Sequence, residues 1–523
     1  MKTVRRTLQL ALLAGCVLAG SANVTHARSS ADEVTSARQD REVTPERARF
    51  VRELRREVDG EYDRFYSRRG YWPLWVVDGE VTGAATALIR HLETVQLDGL
   101  NPRLFDTEEL SEKLYDARTG DAKEQAEAEI ALSRAFTRYV QALGQESGEV
   151  AYYSDTVRPG ARTVSGILRR AALAEDFDTY VAEMGWMHPL YVALRRILAE
   201  SSPDDYNQIV IVNGPLLRTG DEGVRVRRLR ERLSLSEGDV FDEDLRDALA
   251  AFQRSRNLTA DGTLGPQTVA ALNSTARRTD PAAIRRNMAR AAELPGPDRR
   301  HILVNAASQT LSYYDGGKEI GRMRVIVGSQ NTPTPMMAGL LSVATLNPYW
   351  NVPVDLVERI IAPAVLRGNS LDAMGYEVLS DWTADAEKLN WRNVDWRGAA
   401  NGATELRVRE LPGSGNAMGS VKYMFPNDQG IYLHDTDNRA LFRRDDRFIS
   451  NGCVRLEDAA ALGEWLFGTM PEAEGDAPEQ HVTIPDPVPV YITYMTAEPT
   501  ADGRIAYYDD TYNRDTAPVY VWQ

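Results

Sequence analysis

At residue 299 the hydrophobic period of the chain changes, and this constrains the fold more than any other feature. Downstream, "HILVNAASQTLSYYDGGKEIGRMRVIVG" reads as a run of strands, with a hairpin turn at Asp315–Gly316–Gly317. Further strands are expected around 341–346, 404–409, 431–434, 488–495 and 504–508. Upstream, the apolar spacing is helical. With 523 residues the chain is too long for one ordinary core. The expected fold class is therefore multidomain α+β, an α-helical scaffold ahead of a mainly β domain at 299–498 and a C-terminal strand and tail at 499–523. The β domain is interrupted at 354–400 by the helical string "VDLVERIIAPAVLRG" and several tryptophans, a candidate lid or substrate clamp.

The helical half begins with good punctuation. Residues 1–27 carry Lys2, Arg5 and Arg6 ahead of the apolar "TLQLALLAGCVLAG", which reads as an export signal. "LAGC" leaves a second reading open, in which Cys16 is lipidated and anchors the protein to a membrane. Either way the chain is expected outside the cytoplasm, in a periplasmic setting. Residues 28–43 read as a flexible leader. Thr44, Pro45 and Glu46 form a helix start, and Phe50, Leu54, Val58, Tyr62 and Tyr66 recur every four residues. Residues 122–145 and 164–200 also read as helical, within an α-rich unit at 44–213. A compact unit follows at 214–274, with apolar positions spaced for three helices, an N-cap at Asp242 and a turn at Asp261–Gly262.

Once the signal is set aside, Cys453 is the only cysteine, so it has no intramolecular disulfide partner. Cysteine chemistry requires a thiolate and therefore a base. His434 follows "IYL", a buried strand, and nineteen residues later the chain returns to Cys453. Gly452 leaves space for a substrate carbonyl, Ser450 and Asn451 suit a tight turn, and Arg455 adds a positive charge. "CVRLEDAAALGEWLFG" reads as a helix, which puts the thiol near a positive helix terminus. A buried inert cysteine and a satisfied core histidine remain the plain alternatives. Asn347, Tyr349 and Trp350 line a cleft or pack as an aromatic corner. The net charge of −15 argues against nucleic acid as a partner. No metal is implied, since HExxH is absent and the histidines at 91, 188, 301 and 481 lie far apart in the chain. Without a Gly-rich phosphate loop, no cofactor is expected.

Two strings carry a resemblance. "GDEGVRVRRLRERL…DEDLRDALAAFQRSRNLTADGTLGPQTVAALN" is similar to the three-helix peptidoglycan-binding domain of cell-wall enzymes. "HDTDNRALFRRDDRFISNGCVRL" resembles the signature of the YkuD-type L,D-transpeptidases, a His followed by Ser-x-Gly-Cys-x-Arg. "YWPLW", "NPYWNVP" and "VKYMFPND" extend the resemblance toward the large periplasmic members, which carry a capping insertion. Trp72 stands where their string has Arg. The resemblance implies that Cys453 is the nucleophile and His434 the base, with Ser450, Gly452 and Arg455 in the signature and Asn451 at a variable slot. It implies peptidoglycan stem peptides and glycan as partners, other wall synthases among possible protein partners, and 3–3 crosslinks formed through a thioester with a tetrapeptide stem. An L,D-carboxypeptidase, a lipoprotein-anchoring transpeptidase and a catalytically silent wall-binding scaffold stay open as alternatives.

Overall fold

The structure, a computed structural model, describes residues 44–159, 163–201, 209–256, 258–273, 280–383 and 385–516. The expected signal, the leader and Cys16 lie outside the described residues.

The N-terminal unit packs helices α1 (Pro45–Glu57), α2 (Gly60–Arg68), α3 (Gly83–Glu93), α4 (Thr107–Thr119), α5 (Ala122–Leu143), α6 (Val164–Ala172), α7 (Phe177–Ala182) and α8 (Pro189–Glu200). Thr44 caps α1 as expected, its Oγ1 accepting from Arg47 N at 3.2 Å. The four-residue apolar repeat is nevertheless split into two helices, because the backbone turns extended at Val58 and Asp59 before restarting at Gly60. The region 164–200 is likewise three helices. In "YWPLW", Trp75 is fully buried. Its backbone is fixed by the Glu129 carboxylate of α5, which accepts from the N–H groups of Leu74, Trp75 and Val76 at 2.6, 2.9 and 3.0 Å. Just upstream, the Arg47 guanidinium lies 4.0 Å from the centre of the Trp72 ring.

Three short helices, α9 (Val224–Arg232), α10 (Glu243–Ser255) and α11 (Pro266–Asn273), form the next unit around Val226, Leu229, Leu245, Leu249 and Val269. Asp242 caps α10 through Leu245 N at 2.9 Å. The buried Gln253 amide reaches Asp261, Thr263 and Thr268, and its oxygen accepts from Gly262 N. The residues of the "FQ…DG" string thus hold the module's turn. Helix α12 (Pro281–Ala292) then leads into the β domain.

That domain contains β1 (His301–Asn305), β2 (Thr310–Asp315), β3 (Lys318–Gly328), β4 (Met337–Leu346), β5 (Trp350–Val352) and β6 (Tyr376–Leu379). It continues with β7 (Arg407–Glu410), β8 (Val421–Met424), β9 (Leu433–His434), β10 (Phe448–Ser450), β11 (Val454–Leu456) and β12 (Gln480–Thr493). The main sheet runs β8–β9–β11–β3–β2–β1–β12–β4, and β8 pairs again with β4, closing the circuit. The β2–β3 hairpin turns on Gly316 and Gly317 at φ 53° and 76°, the positive pair its two-residue loop requires. A two-residue strand from the N-terminal unit, Ala151–Tyr152, adds in parallel to the start of β4.

Two boundaries differ from expectation. The insertion is larger than 354–400, since β5, β7 and β6 form a separate three-stranded sheet with its own core of Val352, Leu356, Val378, Trp396 and Val408. The strand expected at 404–409 therefore belongs to this cap. The cap helix contains a π segment, Val357–Ile361, just before Pro363, whose ring leaves no N–H for a regular α turn. At the other end, the 498/499 boundary cuts a hairpin, Ala497–Pro499 with Ile505–Tyr507. The described tail packs onto the barrel, with Tyr512 stacked on Tyr494 at 4.9 Å and bonded to Gly328 O at 2.6 Å.

Candidate active site

Strand β9 sets the site by alternation. Ile431 and Leu433 point into the barrel core, while Tyr432 and His434 lie on the opposite face. β9 and β11 pair in parallel with Leu433 opposite Val454 and His434 opposite Arg455. The Val454 N to Tyr432 O bond, at 3.0 Å, extends this register and sets Cys453 beside Tyr432. Cys453, Tyr432, His434 and Arg455 thus share one face across two neighbouring strands. Lys422 of β8, opposite His434 on its other side, joins the same face.

Cys453 does not stand at a helix start. Val454–Leu456 is a strand, and the following helix α13 (Ala459–Phe467) begins only after its cap, Asp458. The short apolar run reads equally as strand or helix, and pairing with β9 and β3 decides for strand. No helix dipole therefore assists the thiol. Instead, a built turn presents it. Gly452 sits at φ 109°, and a Cβ there would meet Ile431 Cδ1 at 3.1 Å. The Ser450 hydroxyl donates to Cys453 O at 2.6 Å and accepts from Gly452 N at 3.2 Å. The Thr334 hydroxyl donates to Gly452 O at 2.8 Å and accepts from Gly328 N at 2.8 Å. Ser450 is 3 % exposed and wholly engaged in this turn, so it shapes the loop and does not face a substrate. Asn451 is exposed.

His434 is 3 % exposed. Its Nδ1–H donates to Asp435 O at 2.6 Å, which leaves Nε2 as the basic nitrogen. The Asp435 carboxylate is committed elsewhere, to Ser420 N and Oγ at 3.0 and 2.9 Å and to Arg439 at 2.9 Å. Burial first, then the Arg455 charge, push the imidazole down to about 4. Burial likewise pushes the Cys453 thiol up. The thiol is partly accessible, and its hydrogen bond among the described residues goes to Gly430 O at 3.5 Å. Thiol and imidazole are therefore both uncharged at rest. Burial lowers the Arg455 guanidinium, and its buried Nε has no partner among the described residues.

The loop after β9 carries Asp437. Tyr376 and Glu410 of the cap feel the charge of Asp437, as does Arg455. Trp350 is half-buried against the cap's own core, while Tyr349 carries the Arg409 guanidinium 3.8 Å above its ring. Asn347 reaches back to Gly475 O and Ala477 O. The structure brings Cys453, His434, Gly452, Ser450 and Arg455 together and leaves Trp350 in the cap. Sequence reasoning missed Tyr432, Thr334 and Lys422. The alternation of "IYLH" was the signal for Tyr432, whereas nothing local marks Thr334. His188 and His301, far apart in the chain, meet in space with their Nε2 atoms 3.2 Å apart. Among the described residues no group of three or more His, Cys, Asp or Glu side chains could hold a metal.

Three family models match the chain. Residues 299–492 match a model described as "L,D-transpeptidase catalytic domain" (YkuD), 60–198 a "Scaffold domain", and 225–272 a "Putative peptidoglycan binding domain". A Haemophilus influenzae protein named "Putative L,D-transpeptidase" is 33 % identical over 224 residues, 41 % of this chain and 44 % of that protein, so the match spans less than half of the relative. Among solved structures, an L,D-transpeptidase from Xylanimonas cellulosilytica shares 15 % identity over 53 % of this chain and 98 % of its own, with a TM-score of 0.17. One from Mycobacterium smegmatis shares 11 % over 37 % of this chain and 58 % of its own, with a TM-score of 0.19.

Proposed function

Because this chain carries a YkuD-type L,D-transpeptidase catalytic domain together with a peptidoglycan-binding domain, we propose that it joins peptidoglycan stem peptides by 3–3 crosslinks, working outside the cytoplasm through a Cys453 thioester. The observation that carries this reading is the shared face of Cys453 and His434, with His434 Nδ1–H fixed on Asp435 O.

The chemistry follows from two uncharged partners. As Cys453 Sγ swings from Gly430 O toward His434 Nε2, the imidazole takes the thiol proton and sulfur attacks the carbonyl of the third stem residue. The Cys453 N–H, with no partner among the described residues, and the Tyr432 hydroxyl support the oxyanion. The C–N bond to the terminal D-alanine breaks, and the imidazolium gives its proton to the leaving amine. A side-chain amine of a second stem then attacks the thioester, losing its proton to Nε2 while the thiol is regenerated. Arg455 holds a stem carboxylate, and the cap encloses the donor.

Purified protein incubated with disaccharide tetrapeptides is expected to yield crosslinked dimers by mass spectrometry, and Cys453→Ala to yield none while still binding sacculi. Tripeptide monomer alone would point instead to water as acceptor and overturn the crosslinking assignment.

A further inference from the structure

Between the N-terminal helices and the β domain lies a cavity of about 600 Å3, whose lining includes no residue of the Cys453 face. Trp186 lines it at 3 % exposure, held by edge-on contacts with Phe136 at 5.1 Å and Tyr139 at 6.2 Å. Its Nε1–H is buried and has no hydrogen-bond partner among the described residues. The packed rings hold the indole in place as part of the cavity wall.

The cavity also carries charge. Arg170 comes from the helical unit and Arg299 from the segment entering β1; both are exposed, and neither forms an ion pair among the described residues. Of the acids lining the cavity, Glu293 already accepts from Tyr152 at 2.6 Å and from Ser147, and its carboxyl is pushed up by burial. Asp298 sits exposed beside Arg299. Ile167 and Leu294 supply apolar wall. The cavity thus combines two guanidinium groups without ion pairs among the described residues and an apolar wall that includes the Trp186 ring, which suits a ligand with a carboxylate on a short apolar backbone.

We propose that this cavity is a second, non-catalytic site that binds a carboxylate-bearing stem peptide of peptidoglycan. The assignment of ligand class rests on the peptidoglycan reading above. An occupant would touch helix α6, Trp186 and the 293–299 segment, and so bridge the two units.

Hydrogen exchange on the full chain carrying Cys453→Ala, with and without soluble disaccharide tetrapeptide, resolves the two sites separately. Slowed exchange is expected at 163–173 and 293–300 as well as at 430–455. Arg170→Glu with Arg299→Glu is expected to abolish the protection at the cavity segments and leave 430–455 unchanged. Amidating the stem carboxylates is expected to abolish it too. Protection at 430–455 alone overturns the proposal, leaving a water-filled cavity. Protection at the cavity that survives both charge reversal and amidation overturns the carboxylate assignment. Protection at the cavity alone supports the second site and counts against the catalytic reading instead.

Discussion

Cys453 and His434 are both kept neutral by burial, and this fixes their pH behaviour. The imidazole is pushed down to about 4, so it stays an unprotonated base at every pH above that value. The acid limb of kcat/KM is expected near pH 4, well below the ordinary histidine value of about 6.5. The thiol is pushed up, so little thiolate exists at neutral pH. Alkylation of Cys453 by iodoacetamide, followed by intact mass, is therefore expected to accelerate through pH 9 and above. A rate already at plateau at pH 7 would reveal a thiolate–imidazolium pair and refute this account. Tyr432 provides a second residue-level test. Burial first and the neighbouring Cys453 second push its phenol up, so it stays a hydrogen-bond donor. Tyr432→Phe is expected to lower kcat by roughly tenfold with KM little changed, the worth of one hydrogen bond. An unchanged kcat removes it from the mechanism.

The turn between β10 and β11 is the element on which the placement of Cys453 depends. Gly452 holds a φ of 109° that other residues rarely adopt, beside Ile431. Gly452→Ala is expected to cost about 1–3 kcal/mol and to shift Cys453 off its face. Urea unfolding should show a modest loss of stability, while muropeptide turnover should fall far more steeply. In the helical unit, Glu129 of α5 holds three consecutive N–H groups and the Tyr66 hydroxyl, the last at 2.7 Å. Glu129→Ala leaves the three N–H groups buried and unpaired, the Tyr66 hydroxyl keeping Ser133 Oγ at 2.7 Å, and is expected to cost on the order of 3 kcal/mol or more, read as a lowered thermal midpoint. A neutral result would mean that the "YWPLW" segment is held by ring packing alone.

At the scale of the molecule, the helical unit and the barrel are joined by a neutral histidine pair. His301 Nδ1–H donates to Arg299 O at 2.7 Å, and Leu190 N–H donates to His188 Nδ1 at 3.2 Å. Between the rings, His188 Nε2–H therefore donates to His301 Nε2. Every ring nitrogen is committed, so neither ring accepts a proton without breaking a bond. Burial pushes His301 down to about 4 and His188 well below its usual value. The unfolded chain takes up protons near pH 6.5 that the folded pair refuses. Stability is thus complete above that pH and falls as pH drops toward 4, by up to about 1.4 kcal/mol per pH unit per histidine. Urea unfolding at pH 7 and pH 5 should show this loss, and His301→Phe should flatten the slope. An identical slope in the variant would place the acid sensitivity elsewhere.

The sequence by itself determined what local chemistry encodes: the helix starts at Thr44 and Asp242, the Gly316–Gly317 hairpin, the change of period at 299, and the identity of the thiol and imidazole. Each is decided by neighbours a few positions away, through capping, backbone freedom or alternation. Only the tertiary structure decided which face Tyr432 and His434 share with Cys453, because strand register is set by long-range pairing. The same holds for the strand after Cys453, a run too short for its period to identify, and for the cap, whose strands β5 and β7 are joined across some fifty intervening residues. The meeting of His188 with His301 and the unpaired Trp186 donor leave no trace in the sequence either, since burial and partner come from residues distant in the chain that one shared core brings together.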